Sequence, residues 1–224
     1  MPDWQRLRGK FIVLDGGEGC GKSTQARRLA DFLRDEAGLP VTAARDPGAT
    51  PIGEQIRALL LDPASAGMSM RCEMLLYMAA RAQMMSQVIA PALNRGDAVV
   101  CDRFVSSTLA YQAGGDGMTR EEILAAGEIA IGGVAGGRWP DLTLIFDLPV
   151  EAAQERVKPK FVADAAQPPA KDRIEQRPVE YHRAVRENFL SQARDIPERY
   201  AVIDAAKEPD AVFADVLSVL GQRL

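Results

Sequence analysis

The chain has 224 residues, 47% of them hydrophobic, which is ample for a buried core and favours a single domain. No run approaches the roughly 18 apolar residues of a membrane span, and the opening MPDWQRLRGK lacks the apolar centre of a signal peptide, so a soluble, cytoplasmic protein is expected. A net charge of −4 argues against a general nucleic-acid surface, which concentrates positive charge over a whole face. Cys20, Cys72 and Cys101 have no metal-type spacing and leave one thiol over in any disulfide scheme, as suits a reducing compartment.

In chain order, Phe11 to Leu14 is a short apolar strand running into a glycine-rich turn. Gly16, Gly21, Lys22 and Ser23 then satisfy the G-x-x-x-x-G-K-[ST] phosphate-loop pattern, and Gln25 to Leu33 follows as a helix. A triphosphate has to be wrapped by consecutive backbone N–H groups, and Gly16, Gly17, Gly19 and Gly21 let the chain come that close. Glu18, Cys20 and Thr24 complete the nucleotide-binding loop. Lys22 is expected to reach the β- and γ-phosphates, Ser23 to place its hydroxyl on Mg²⁺, and the helix start to point its positive end at the anion. Cys20 is expected to carry a reactive thiol when the loop is empty, whereas Cys72 and Cys101 read as small apolar residues.

Pro40 to Ala44 is a second strand, leading to the turn-forming cluster Arg45 to Thr50. Ile52 to Leu61 has helical spacing, and a long helix is predicted from Met70 to about Leu93, closed by Gly96 and Asp97. Its methionines read as core filling, with an adaptable pocket wall as the alternative. Ala98 to Cys101 is a strand delivering Asp102 and Arg103 to the sheet edge, and Phe104 to Gln112 mixes hydroxyls with aromatics. Glu121 to Ile131 is a helix, Leu142 to Phe146 a buried strand, Tyr200 to Ile203 the last strand and Pro209 to Leu220 an amphipathic helix. Five strands with crossover helices imply an α/β fold, a mainly parallel sheet covered on both faces, with ligands at the carboxyl ends of the strands. The segment from 157 to 172 holds three prolines and three lysines without a clear period, and reads as a flap or as a plain surface loop. The single histidine, His182, sits in a polar helical stretch and reads as an exposed bystander, with a catalytic base as the alternative.

The strand-end motifs together resemble thymidylate kinase. They are DGGEGCGKST at Asp15 to Thr24, RDPGAT at Arg45 to Thr50, RCEMLLYMAARAQ at Arg71 to Gln83, DRFVSSTLAYQ at Asp102 to Gln112, PDLTLIFDLP at Pro140 to Pro149 and DRIE at Asp172 to Glu175. The resemblance implies a P-loop fold of the nucleoside monophosphate kinase kind. It implies transfer of the γ-phosphoryl group of ATP to dTMP with Mg²⁺, in a homodimer. By the family's pattern Arg45 and Arg103 clamp the acceptor phosphate, Arg71 and Arg81 line the acceptor pocket with Arg81 at a thymine carbonyl, and Tyr77 stacks on the base. Ser107, Thr108 and Gln112 match positions that bond the base edge, Tyr111 one that packs the sugar, and Asp15 one that holds the 3′-hydroxyl. Asp102 is expected to hold Mg²⁺ through water or to position the acceptor. Arg71 and Arg81 also read as solvated helix residues.

The sequence departs from the family where Tyr77 replaces a phenylalanine, and where Asp46 and Ala49 replace glutamate and glycine. Gly19 places the chain in the branch whose catalytic cations come from the lid, where Arg156, Lys158, Lys160, Lys171 and Arg173 stand. Lys158, Lys160 and Arg173 are expected to fold over the triphosphate. The rival readings are a P-loop kinase for another nucleotide or nucleoside, and a nucleotide-dependent switch. Against the switch, the chain has no N-K-x-D or T-K-x-D tetrapeptide.

Overall fold

The computed structural model describes residues 3–114, 118–132, 137–157 and 172–224. Five strands, β1 (Phe11–Gly16), β2 (Val41–Arg45), β3 (Ala98–Asp102), β4 (Leu142–Asp147) and β5 (Tyr200–Asp204), form one sheet in the order β2-β3-β1-β4-β5. All four pairings are parallel, so the sheet is wholly rather than mainly parallel. Central β1 is buried along its whole length, and its side chains alternate between two cores as the pleat requires. Ile12 and Leu14 face a cluster with Leu29 and Leu33 of α1 (Lys22–Asp35) and Val216 and Leu220 of the C-terminal helix. Phe11 and Val13 face the opposite cluster, with Met74, Met78 and Met84 of α3 (Met70–Met84). The methionines are largely core, as their spacing suggests.

Between β2 and α3 lies α2 (Pro51–Leu61), started by Thr50, whose hydroxyl accepts from Gly53 N–H. The helix predicted from Met70 to Leu93 is interrupted: a π turn at Met85–Ile89 separates α3 from α4 (Ala90–Arg95). Pro91 has no N–H for the carbonyl four residues back, and a wider turn absorbs the missing bond. The ambiguous stretch after β3 is a helix, α5 (Val105–Gln112), buried almost all round and therefore without an amphipathic period. Next come α6 (Arg120–Ala130), opened by a Thr119–Glu122 capping box, then α7 (Val150–Val157), α8 (Val179–Asp195) and α9 (Pro209–Arg223). No helix among the described residues is long and apolar enough to cross a membrane. The parallel arrangement brings the ends of β1, β2 and β3 to one edge, where the phosphate loop, Arg45 to Thr50 and Asp102 to Gln112 meet.

Candidate active site

The phosphate loop begins inside the sheet. Gly16 is the last residue of β1 and has φ of +144°, and a Cβ there would lie 2.6 Å from the Phe146 carbonyl oxygen, so only glycine fits. Gly21 caps α1, and buried Lys22 folds its ammonium group back onto the Gly17 carbonyl at 3.1 Å. Cys20 is packed in the core at 3% exposure, which removes the expected reactive thiol; Cys72, which reads as a small apolar residue, is exposed on α3.

Beside the loop is a cavity of about 240 Å³. It is lined by five cationic side chains, Lys22, Arg45, Arg57, Arg81 and Arg103, and by the carboxylates of Glu18, Asp46, Asp102 and Asp172. Ser23, Tyr77, Ser107, Thr108, Tyr111 and Gln112 share it, so most of the positions named from sequence for the acceptor line one space. Arg57 was not anticipated. Burial and the neighbouring Arg45 charge lower its pKa, so an anion entering the cavity would relieve both.

Arg103 sits at the centre. Its backbone takes φ of +73°, a strained conformation for a residue with a side chain, which turns the guanidinium back toward the phosphate loop. There it donates to Gly16 O at 3.0 Å, Ser107 Oγ at 2.9 Å and Glu18 at 2.5 Å. Burial opposes the charge of Glu18, but the Arg103 and Lys22 cations overcome it and hold the carboxyl down at about 2. Tyr111 donates to the same carboxylate at 3.1 Å.

Asp15 does not reach the cavity. It is fully buried, and its carboxylate accepts from Gly16 N–H, from Ser106 and Ser107 hydroxyls at 2.6 and 2.7 Å, and from Arg103 at 3.3 Å. With both oxygens occupied, it orients Arg103; Glu18, unlike Asp15, is among the carboxylates that line the cavity. In the sequence Glu18 stands out only as part of the nucleotide loop.

Arg81 is not a solvated helix residue. Its side chain and that of Asp46 are each 1% exposed and joined Nε to Oδ2 at 2.5 Å, and further N–H groups reach the Phe104 carbonyl and Thr108 hydroxyl, both at 3.1 Å. Burial drives the Asp46 carboxyl up against the pull of Arg81. Arg45 pairs with Glu54 at 3.0 Å at the cavity mouth. Tyr77 lines the cavity, with burial raising its hydroxyl pKa. Arg71 lies elsewhere: its exposed guanidinium meets Glu122 at 3.2 Å, outside the cavity.

Arg173, expected over the triphosphate, is buried and bonded to Glu73 and to the Leu60 carbonyl. A carboxylate with no exposure requires cations, and Glu73, unnoticed in the sequence, draws in both Arg173 and Arg177. Arg156 lies against the carbonyls of Ala205 and Ala206 just past β5. Lys158, Lys160 and Lys171 fall outside the described residues. His182 is not simply exposed: half-buried, its ring against Tyr181, it lines a second cavity of about 280 Å³ under Gly17 and Glu18.

A phosphate loop, a lysine on it and a strained arginine between loop and neighbouring cavity make a site for two phosphorylated ligands side by side. A family model described as thymidylate kinase matches residues 14–216. The chain belongs to the thymidylate kinase family. A thymidylate kinase of Pseudomonas putida is 45% identical over 214 residues, 96% of each chain. One of Chromohalobacter salexigens is 44% identical over 217 residues, 96% of this chain and 97% of that one. The crystal structure of thymidylate kinase from Ehrlichia chaffeensis is 28% identical, with a TM-score of 0.72 over 94% of this chain and 97% of that one.

A divalent cation fits the chemistry of the donor set. Asp102 Oδ1 is buried without a hydrogen-bond partner among the described residues, in the cavity that Ser23 also lines. Mg²⁺ is commonly held by one or two protein oxygens together with substrate phosphates.

Proposed function

We propose that the chain is an ATP-dependent thymidylate kinase, moving the γ-phosphoryl group of ATP to dTMP to give dTDP and ADP. The observation that carries this reading is the convergence of Lys22, Arg103, Tyr77, Arg81 and Gln112 on one cavity beside the phosphate loop. Phosphoryl transfer asks for little covalent chemistry: two anionic substrates must be held in line and their charge stabilised. ATP lies along Gly16 to Thr24 with Lys22 at its terminal phosphates. Arg103, fixed by Asp15 and Ser107, and Arg45 hold the acceptor phosphate, with Arg57 adding charge. Tyr77 stacks on the base, Tyr111 packs the sugar, and Glu18 takes the 3′-hydroxyl in place of Asp15. Mg²⁺, held by Ser23 and Asp102, would neutralise charge on the phosphates. The described sheet and helices work as one kinase unit in the cytoplasm.

The protein acts as a homodimer in this reading. Ile52 and Leu59 of α2 and Leu75 of α3 are large apolar side chains about half exposed on two helices that pack together. Light scattering should give twice the 24.3 kDa chain mass, reduced to one by Leu75→Asp.

Coupled-assay turnover with ATP and Mg²⁺ over dTMP, dUMP, dCMP, dGMP, AMP and thymidine tests the reaction. The highest kcat/KM is expected for dTMP; preference for another acceptor would overturn the base assignment, and ATP binding without transfer would point to a switch.

A further inference from the structure

Gln112 closes α5 at the cavity wall, and what it offers a base depends on which way its amide is turned. Its Nε2 donates to Glu73 Oε1 at 2.7 Å. Glu73 is wholly buried, and its other oxygen accepts from Arg177 at 2.6 Å and from Arg173. A carboxylate held by two guanidinium groups accepts hydrogen bonds and has none to give. Against such a partner the amide can present only its NH₂ group. The carbonyl oxygen is what remains for the cavity that Gln112 lines.

Building on the dTMP reading, we infer that Glu73, with Arg173 and Arg177, is a positioning residue that sets base specificity by locking the Gln112 amide with its acceptor toward the base. Thymine and uracil carry a donor, N3–H, at the middle of the pairing edge. Cytosine carries an acceptor at N3. A fixed carbonyl oxygen therefore pairs with the first two and repels the third, and a polar site facing the wrong partner discriminates strongly. The same cluster binds Gln112 to the stretch Asp172 to Arg177, and Tyr181, which takes a hydrogen bond from Arg177, donates to the Tyr111 carbonyl at 2.7 Å. Two residues of the acceptor wall are thus braced from behind by one ionic network.

The test is Glu73→Gln. The guanidinium groups claim the new carbonyl oxygen, its NH₂ then faces Gln112, and the Gln112 amide has to turn over and show NH₂ to the base. The expected result is a fall of about tenfold or more in kcat/KM for dTMP and dUMP together, carried by KM, with dCMP unchanged or improved. A merely structural role would weaken all three alike. The exchange Glu73→Gln with Gln112→Glu keeps the buried charge and returns an acceptor to the cavity, so it should restore preference for dTMP over dCMP to within about threefold of wild type, the margin of context dependence for a hydrogen bond. It also serves if the single variant does not fold. A folded Glu73→Gln protein with an unchanged dTMP to dCMP ratio, or a folded exchange variant without the preference, overturns the inference. Wild-type protein that does not favour dTMP and dUMP over dCMP would instead overturn the dTMP reading itself.

Discussion

Removing the carboxylate of Asp46 should cost the protein more than removing both members of its ion pair. Arg81 and Asp46 are each 1% exposed and meet at 2.5 Å. In Asp46→Ala the guanidinium keeps its bonds to the Phe104 carbonyl and Thr108 hydroxyl but loses its only carboxylate among the described residues. A buried charge stripped of its partner costs about 3–5 kcal/mol. In a chain of this size each kcal/mol moves Tm by about 2–4 °C, so Asp46→Ala should melt about 6–20 °C below wild type. Asp46→Ala with Arg81→Met exchanges the pair for apolar groups, which is often neutral, but takes the Arg81 donors from the Thr108 hydroxyl and from the Phe104 carbonyl, which keeps the Ser107 N–H, at about 1–3 kcal/mol. The double variant should therefore be the more stable of the two, while its KM for dTMP rises because Arg81 has left the cavity wall. Urea unfolding of wild type, both single variants and the double closes the cycle, with steady-state kinetics on each. An Asp46→Ala protein within about 1 kcal/mol of wild type would refute the reasoning, since a real buried pair cannot be broken so cheaply.

Gly16→Ala drives a Cβ to 2.6 Å from the Phe146 carbonyl and 3.1 Å from Cys20 Sγ; a loss of about 2–4 kcal/mol and a sharp drop in ATP affinity by calorimetry are expected. Ala49 has φ of +62° and an exposed side chain, so Ala49→Val should lose about 1–2 kcal/mol in thermal melts with no packing to compensate, whereas Ala49→Gly should lose nothing. Glu18 has a folded pKa of about 2 against an ordinary 4.5, so its stabilising charge is fully present above about pH 4.5 and is lost as pH falls toward 2. Urea midpoints of wild type and Glu18→Gln should thus differ by a constant amount from pH 7 to 5 and converge below pH 4.5. A gap that persists undiminished at pH 3 would contradict the ion-pair account.

How much of this site could be read from the chain depended on whether a residue's role is local. The phosphate loop is local: glycine spacing, lysine and hydroxyl follow one strand, and the structure places them as the spacing demands. Strand ends are nearly so, because a parallel sheet gathers them at one edge whatever the details. The carboxylates were read less well for a physical reason. Asp15, at the end of β1, is indistinguishable in sequence from a residue that meets substrate, yet Ser106, Ser107 and Arg103, about ninety positions away, occupy it completely. Glu73 looks like one more helix charge. Only its burial against Arg173, one hundred residues on, shows that it has to be neutralised there. The same applies to the arginines: Arg81 and Arg71 share a helix and a residue type, and what separates buried from exposed is Asp46 in one case and Glu122 in the other. Burying a charge is a long-range bargain between groups that sequence order does not connect, so the residues most easily misread here are the charged ones with buried partners. Those are also the residues that orient Arg103 and Gln112, which places the finest control of the site in its least legible part.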